Sequence, residues 1–188
     1  MRSLPRYLLV SQPVSSGHLS MTLQSLDSFC SWLAATSVSQ VIQTVGWIIP
    51  AVQTVHILAV AAVVTSALMI DLRLLGIRGT EQPIAAIARR FLPFIWWPLP
   101  ILLATGAILI IAEPARALEN PVFILKMGLL LAAAGITLAC QIPLQRNPAF
   151  WEISASRKRV ARLIAVASMP LWVAIICAGR WIAYVQGT

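Results

Sequence analysis

Twenty-four consecutive residues, Trp47–Ile70, carry no formal charge when His56 is neutral. At ~1.5 Å per residue, a helix of that length reaches across the ~30 Å hydrocarbon core of a bilayer. The run ends at the polar triplet Asp71-Leu72-Arg73. A soluble domain would need a large body around such an element, and this chain has only 188 residues, 11% of them charged. Soluble domains carry roughly 25% charged residues. One membrane-embedded bundle is therefore the fold class that length and composition allow.

Three further apolar runs complete it, Phe91–Ala112, Val122–Leu144 and Leu163–Val185. The expected fold is all-α: a four-transmembrane-helix bundle in one membrane domain, 21–188, with spans near 47–71, 91–112, 122–144 and 163–185. Residues 1–20 read as a weakly patterned tail, and Met21 is an alternative start. Tyr7–Val10 is too short for the ~7–15-residue core of a secretory signal. From Thr22 to Ala35 the apolar residues recur at helical spacing among Gln24, Ser25, Asp27 and Ser28. Too polar to span, that segment reads as an interfacial amphipathic helix anchored by Trp32. Ser37-x-x-Gln40 has capping-box spacing for a new helix that leads into the first span.

The formal charge of +8 does not point to nucleic acid, because the charges collect in short loops. Arg73, Arg78, Arg89 and Arg90 flank the first connection, and Arg146, Arg157, Lys158, Arg159 and Arg162 flank the third. By the positive-inside rule both basic loops face the cytoplasm. Both termini are then periplasmic, in a bacterial inner membrane.

Proline and small residues predict how the helices pack. Pro50 should kink the first span, and Gln43, Gly46, Pro50, Gln53 and His56 form one stripe that should face other helices. Pro93, Pro98 and Pro100 make the start of the second span irregular, either as a kinked helix start or as the wall of a cavity. Gly128, Ala132, Gly135 and Ala139 form a small-residue face on the third span, suited to close approach by a neighbouring helix.

His56 is the first candidate for chemistry, about nine residues and ~13 Å below Trp47. It can hydrogen-bond a neighbour such as Gln53 or Thr105, contact a quinone or relay a proton, or ligate a haem iron. The other histidine is His18, so bis-histidine haem b needs a second copy of the chain. Glu113, Lys126 and Arg180 fall at similar depth near the outer face, where an ion pair is expected. Asp71, Arg73 and Gln141 form the matching group at the inner end, each needing a partner on another helix or in a loop. Cys30, Cys140 and Cys177 have no C-x-x-C spacing and read as small hydrophobes. There is no H-E-x-x-H, G-x-S-x-G or phosphate-loop pattern, so no catalytic or metal-ligating residues are assigned.

VHILAVAAVVTSALMIDLRLLG, ENPVFILKMGLLL and GRWIAY together resemble a family of small bacterial four-helix inner-membrane proteins of unknown function. The likeness runs from about Met21 to Val185. It rests on His56, Asp71, Arg73, Gly76, Asn120, Pro121, Phe123, Lys126 and Arg180. It implies the membrane fold and no activity. The leading functional expectation is a non-enzymatic subunit or accessory of a membrane complex, in contact with lipid and with a membrane-protein partner or a second copy. A haem- or quinone-binding anchor using His56 is the alternative, and a small-solute permease is a weaker third.

The orientation is testable. A single cysteine at Arg157, in a cysteine-free background, should react in intact cells only with membrane-permeant reagents. Labelling by an impermeant reagent from outside would invert the map.

Overall fold

The computed structural model describes residues 16–182 and 184. The tail 1–15, the side chain of His18 and the last residues of the fourth span lie outside that range. The described residues form nine helices and no strand: α1 (Ser16–Ala34), α2 (Ser37–Thr44), α3 (Ile48–Leu75), α4 (Ile84–Phe91), α5 (Pro93–Trp96), α6 (Pro98–Ala112), α7 (Pro114–Leu118), α8 (Pro121–Arg146) and α9 (Ala155–Trp181). Four stretches are long and apolar enough to cross a membrane: Ile48–Leu75, Ile84–Ala112, Pro121–Arg146 and Ala155–Trp181. The all-α, four-span architecture is the one the sequence predicts.

Local chemistry sets the boundaries. Thr36, one residue ahead of Ser37, caps α2 by accepting a hydrogen bond from the Ser39 amide. The new helix does not run into the first span, because it closes at Val45 and α3 starts afresh at Ile48. Pro50 consequently falls in the first turn of α3, where its missing N–H leaves no hydrogen bond unmade, so it does not kink the span. Gly76 ends α3 at φ 77°, a left-handed conformation that glycine adopts without Cβ strain, and Ile77 N–H closes the turn onto Leu72 O at 3.0 Å. Asn120 caps α8 and Pro121 opens it. Pro93 and Pro98 open α5 and α6; Leu92 and Trp97, the residues just ahead of them, keep helical dihedrals, so the track continues while its hydrogen-bond ladder is interrupted. Ser154 caps α9 nine residues before Leu163, which puts Arg157, Lys158, Arg159 and Arg162 on its first two turns.

The two basic connections meet at one end of the bundle. Arg73 Nη2 donates to Glu152 Oε1 at 2.9 Å and Arg73 Nε to Gln82 O at 2.7 Å, while Ile84 N–H reaches the same Glu152 oxygen at 3.3 Å. At the opposite end α2 closes α6. Ser39 Oγ donates to Ile111 O at 2.7 Å and Gln43 Nε2 to Ala112 O at 2.6 Å, satisfying carbonyls that α6 itself leaves unpaired.

The interior is built from small residues. α3 is central, packed on α6 and on α9, and α8 packs on α9. Ala59, Val63, Ser66 and Ala67 of α3 are buried, as are Ala161, Ala165 and Ser168 of α9. Large side chains such as Leu58, Leu103, Leu131 and Leu163 lie on the outside. Small residues inside let helix axes approach, which is the packing that membrane helices use. The small-residue face of α8 takes no part in it: Gly128, Ala132, Gly135 and Ala139 are exposed, and no atom lies within 4 Å of a Cβ built at either glycine. The helix packs through its other side, with Ala133, Cys140 and Leu144 buried.

The two small-residue rows should respond oppositely to bulk. Ala165→Leu is expected to lower stability by ~1–3 kcal/mol through overpacking. Ala132→Leu should change the isolated chain by about 0.5 kcal/mol or less. Thermal unfolding of the purified variants in detergent measures both.

Candidate functional site

The bundle holds two polar layers, one towards each end, both carried by α3. In the first, His56 Nδ1 lies 2.8 Å from Thr105 Oγ1 on α6. The Thr105 hydroxyl is also 2.6 Å from Ile101 O, one turn back on its own helix. A hydroxyl has one hydrogen. With that hydrogen on the Ile101 carbonyl, Thr105 accepts from His56, and the neutral ring carries its proton on Nδ1. The Nε2 lone pair is then left for a ligand. This is the arrangement by which an outer hydrogen bond sets the tautomer of a ligating histidine.

Lys126 lies on the second turn of α8. Its amine points at the bare backbone of α9: a Cβ built at Gly179 would come within 3.7 Å of Nζ. Gln53, by contrast, is exposed on α3 and does not bond the imidazole. The stripe Gly46, Pro50 and Gln53 faces outward, because α6 and α9 cover the other side of α3. The pairing with Thr105 is therefore the one the fold adopts.

The ion pair expected among Glu113, Lys126 and Arg180 does not form. Glu113 binds Arg116 three residues on at 2.6 Å, since the α6–α7 turn brings these two together. Arg180 donates to Tyr184 OH at 3.0 Å, with its guanidinium 5.4 Å from the ring centroid. Nearby, Cys30 is buried in α1; burial and then the Glu119 carboxylate push its thiol up, which keeps it neutral.

The second layer lies towards the basic end. Asp71 is 4% exposed. Its carboxyl faces a cavity of about 20 Å³ walled by four helical tracks, with Thr137 and Gln141 from α8, Ser168 from α9 and Ile95 from α5 among the lining. Gln141 Oε1 accepts from Trp96 Nε1 at 2.9 Å, which joins the proline-broken track to α8. The loop before α9 folds under the bundle, where Trp151 Nε1 donates to Cys140 O at 3.1 Å. Asp71 and Gln141 thus share one cavity, as their depth predicts. Arg73 is turned away from it, held by Glu152 and the Gln82 carbonyl.

Four participants escape a reading of the chain alone: Glu152, Trp96, Trp151 and Ser168. Glu152 has a visible signal, as the one acid among the basic residues of its loop. Ser168 has a weaker one, as the third member of a row with Ala161 and Ala165 at successive spacings of four and three. Among the described residues, no group of three or more His, Cys, Asp or Glu side chains can hold a metal ion. A haem at Nε2 of His56 would depend on an axial ligand from elsewhere.

Several positions behind the family resemblance now have physical roles. Gly76 supplies the left-handed cap of α3, Asn120 and Pro121 open α8, and Arg73 ties the two basic loops. No curated protein and no solved structure matches the chain. A family model does, over residues 29–185. With that match spanning all four helices long enough to cross a membrane, the chain belongs to DUF6644, a family of unknown function.

Proposed function

We propose that the protein is an integral component of a bacterial inner membrane, without enzymatic activity of its own, that works as a subunit of a larger membrane assembly. It docks through α8, with the basic loops in the cytoplasm and both termini in the periplasm. The carrying observation is the uncovered row Gly128, Ala132, Gly135 and Ala139. Within the chain α8 is an edge helix: 6% of its most apolar window is buried, against 33% for α3. Lipid tails gain nothing from a groove of small residues, whereas a second helix gains close backbone approach and dispersion contacts. The partner is a transmembrane helix of another protein or of a second copy.

Ala132→Cys in a cysteine-free background should give a cross-linked band in native membranes with a short bifunctional thiol reagent or, for a second copy, with an oxidant. Adding Gly135→Leu should cut that band by about tenfold, which is ~1.4 kcal/mol of association. A chain that stays monomeric in every lane removes the subunit reading.

The orientation of His56 favours a second reading, a haem- or quinone-binding anchor for electron transfer. Its support is the Nε2 lone pair left free by the hydrogen bond between Nδ1 and Thr105. Protein purified from native membranes should then show a Soret band that moves on reduction, or yield a quinone on organic extraction. His56→Ala should abolish either signal. A colourless, quinone-free preparation leaves the subunit reading alone.

A further inference from the structure

Asp71 Oδ2 is buried and accepts no hydrogen bond. Every other buried side-chain oxygen or nitrogen among the described residues has a partner. A carboxylate is the group for which such an omission is most costly. The usual remedy, a basic side chain at contact distance, is missing from the cavity wall, which holds no Lys, Arg or His. Cys140 is the one other titratable group on that wall. Arg73, two residues along α3, spends its guanidinium on Glu152 and on the Gln82 carbonyl.

The space in front of the carboxyl has the opposite character. At about 20 Å³ it admits one water-sized particle and little more. Three hydroxyl or amide groups share its wall with the carboxylate. Ser168 stands beside the Asp71 carboxyl. The Thr137 hydroxyl gives its hydrogen to Ala133 O at 2.9 Å, so its lone pairs remain available. Gln141 Oε1 accepts one bond, from Trp96, and keeps a second lone pair. Ser168 hydrogen-bonds the carboxyl, and the lone pairs left over on Ser168, Thr137 and Gln141 belong to residues that line the same cavity.

We propose that this cavity is a binding site for one small monovalent cation of the sodium or lithium class, with Asp71 as its charged ligand and Ser168, Thr137 and Gln141 as neutral oxygen ligands. Hard cations take oxygen donors. One carboxylate balances one positive charge, whereas a divalent ion would keep an excess charge and demand six or more oxygens. Ser168 lies six residues, ~9 Å, inside Arg162 on α9, so the site sits behind the arginine-rich end rather than at mid-membrane. The Arg73–Glu152 pair and Trp151 close that end.

The test uses the full-length protein in detergent at mildly alkaline pH, with sodium chloride titrated against choline chloride at constant ionic strength. The melting temperature should rise with sodium and saturate, because an ion that binds only the folded state stabilises it by mass action. Lithium should substitute, and choline should not. Asp71→Asn should melt at the same temperature in both salts. Ser168→Ala keeps the carboxylate and covers the case in which Asp71→Asn does not fold; it should raise the half-saturating sodium concentration by about tenfold or more. Equal melting temperatures of the unmodified protein in sodium and choline overturn the proposal. So does a half-saturation point that Ser168→Ala leaves in place. A melting temperature that moves with pH and ignores sodium means that a proton alone occupies Asp71, which also overturns it.

Discussion

Hydrocarbon offers no hydrogen bonds, and that one fact governs where polar groups sit in this chain. Hydroxyls within the long helices bond back to their own helix: Thr54 to Pro50 O, Ser66 to Ala62 O, Thr105 to Ile101 O and Thr137 to Ala133 O, each at 2.6–2.9 Å. Longer polar side chains reach across to a neighbour, as His56 does to Thr105 and Trp96 to Gln141. Carbonyls exposed by the end of α6 are taken up by Ser39 and Gln43. Each such bond contributes only ~1 kcal/mol net, but leaving its members unpaired costs ~1–3 kcal/mol each. The polar groups therefore act less as glue than as a filter on which helix rotations are tolerable.

Packing selects among the rotations that survive the filter. Lipid is as apolar as leucine, so burying large side chains between helices gains little, and close approach between small ones gains dispersion. Ala59, Ser66 and Ala67 of α3 and Ala161, Ala165 and Ser168 of α9 are accordingly inside, and large side chains such as Leu58, Leu103, Leu131 and Leu163 outside. The gross distribution inverts that of a water-soluble bundle. α3 packs on both α6 and α9 and carries both polar layers, which makes it the scaffold of the molecule.

Much of this was legible in the residues. Four apolar runs show four spans because nothing else can host them, and clustered arginines mark two loops that do meet, through Arg73 and Glu152. Azimuth was not legible. The spacing of Gly128, Ala132, Gly135 and Ala139 defines a face of α8 but not what covers it, and the buried small-residue row belongs to Ala161, Ala165 and Ser168 instead. Pro50 misled for a related reason. Whether a proline kinks or starts a helix depends on where the helix begins, and Val45–Trp47 breaks the track just before it. At the candidate sites polarity says that His56, Asp71 and Lys126 need partners, while local geometry decides which. Glu113 is taken by Arg116 because a three-residue spacing in a turn outcompetes any residue of a distant helix.

The two polar layers are also kept apart. His56 and Asp71 are fifteen residues, ~22 Å, apart on α3. Between them Ala59, Val63 and Ala67 are buried, and the buried hydroxyl among them, Ser66, is spent on its own helix. A conduction path needs polar groups or water at short intervals to replace the hydration of what moves. This stretch is packed with aliphatic side chains against α9, so it works as an insulating plug. The chemistry of the two layers differs accordingly: an imidazole and an amine at one end, a carboxylate among neutral oxygens at the other. The two polar layers therefore stand apart on a common scaffold, and substitutions in one layer should leave the other intact unless they displace α3.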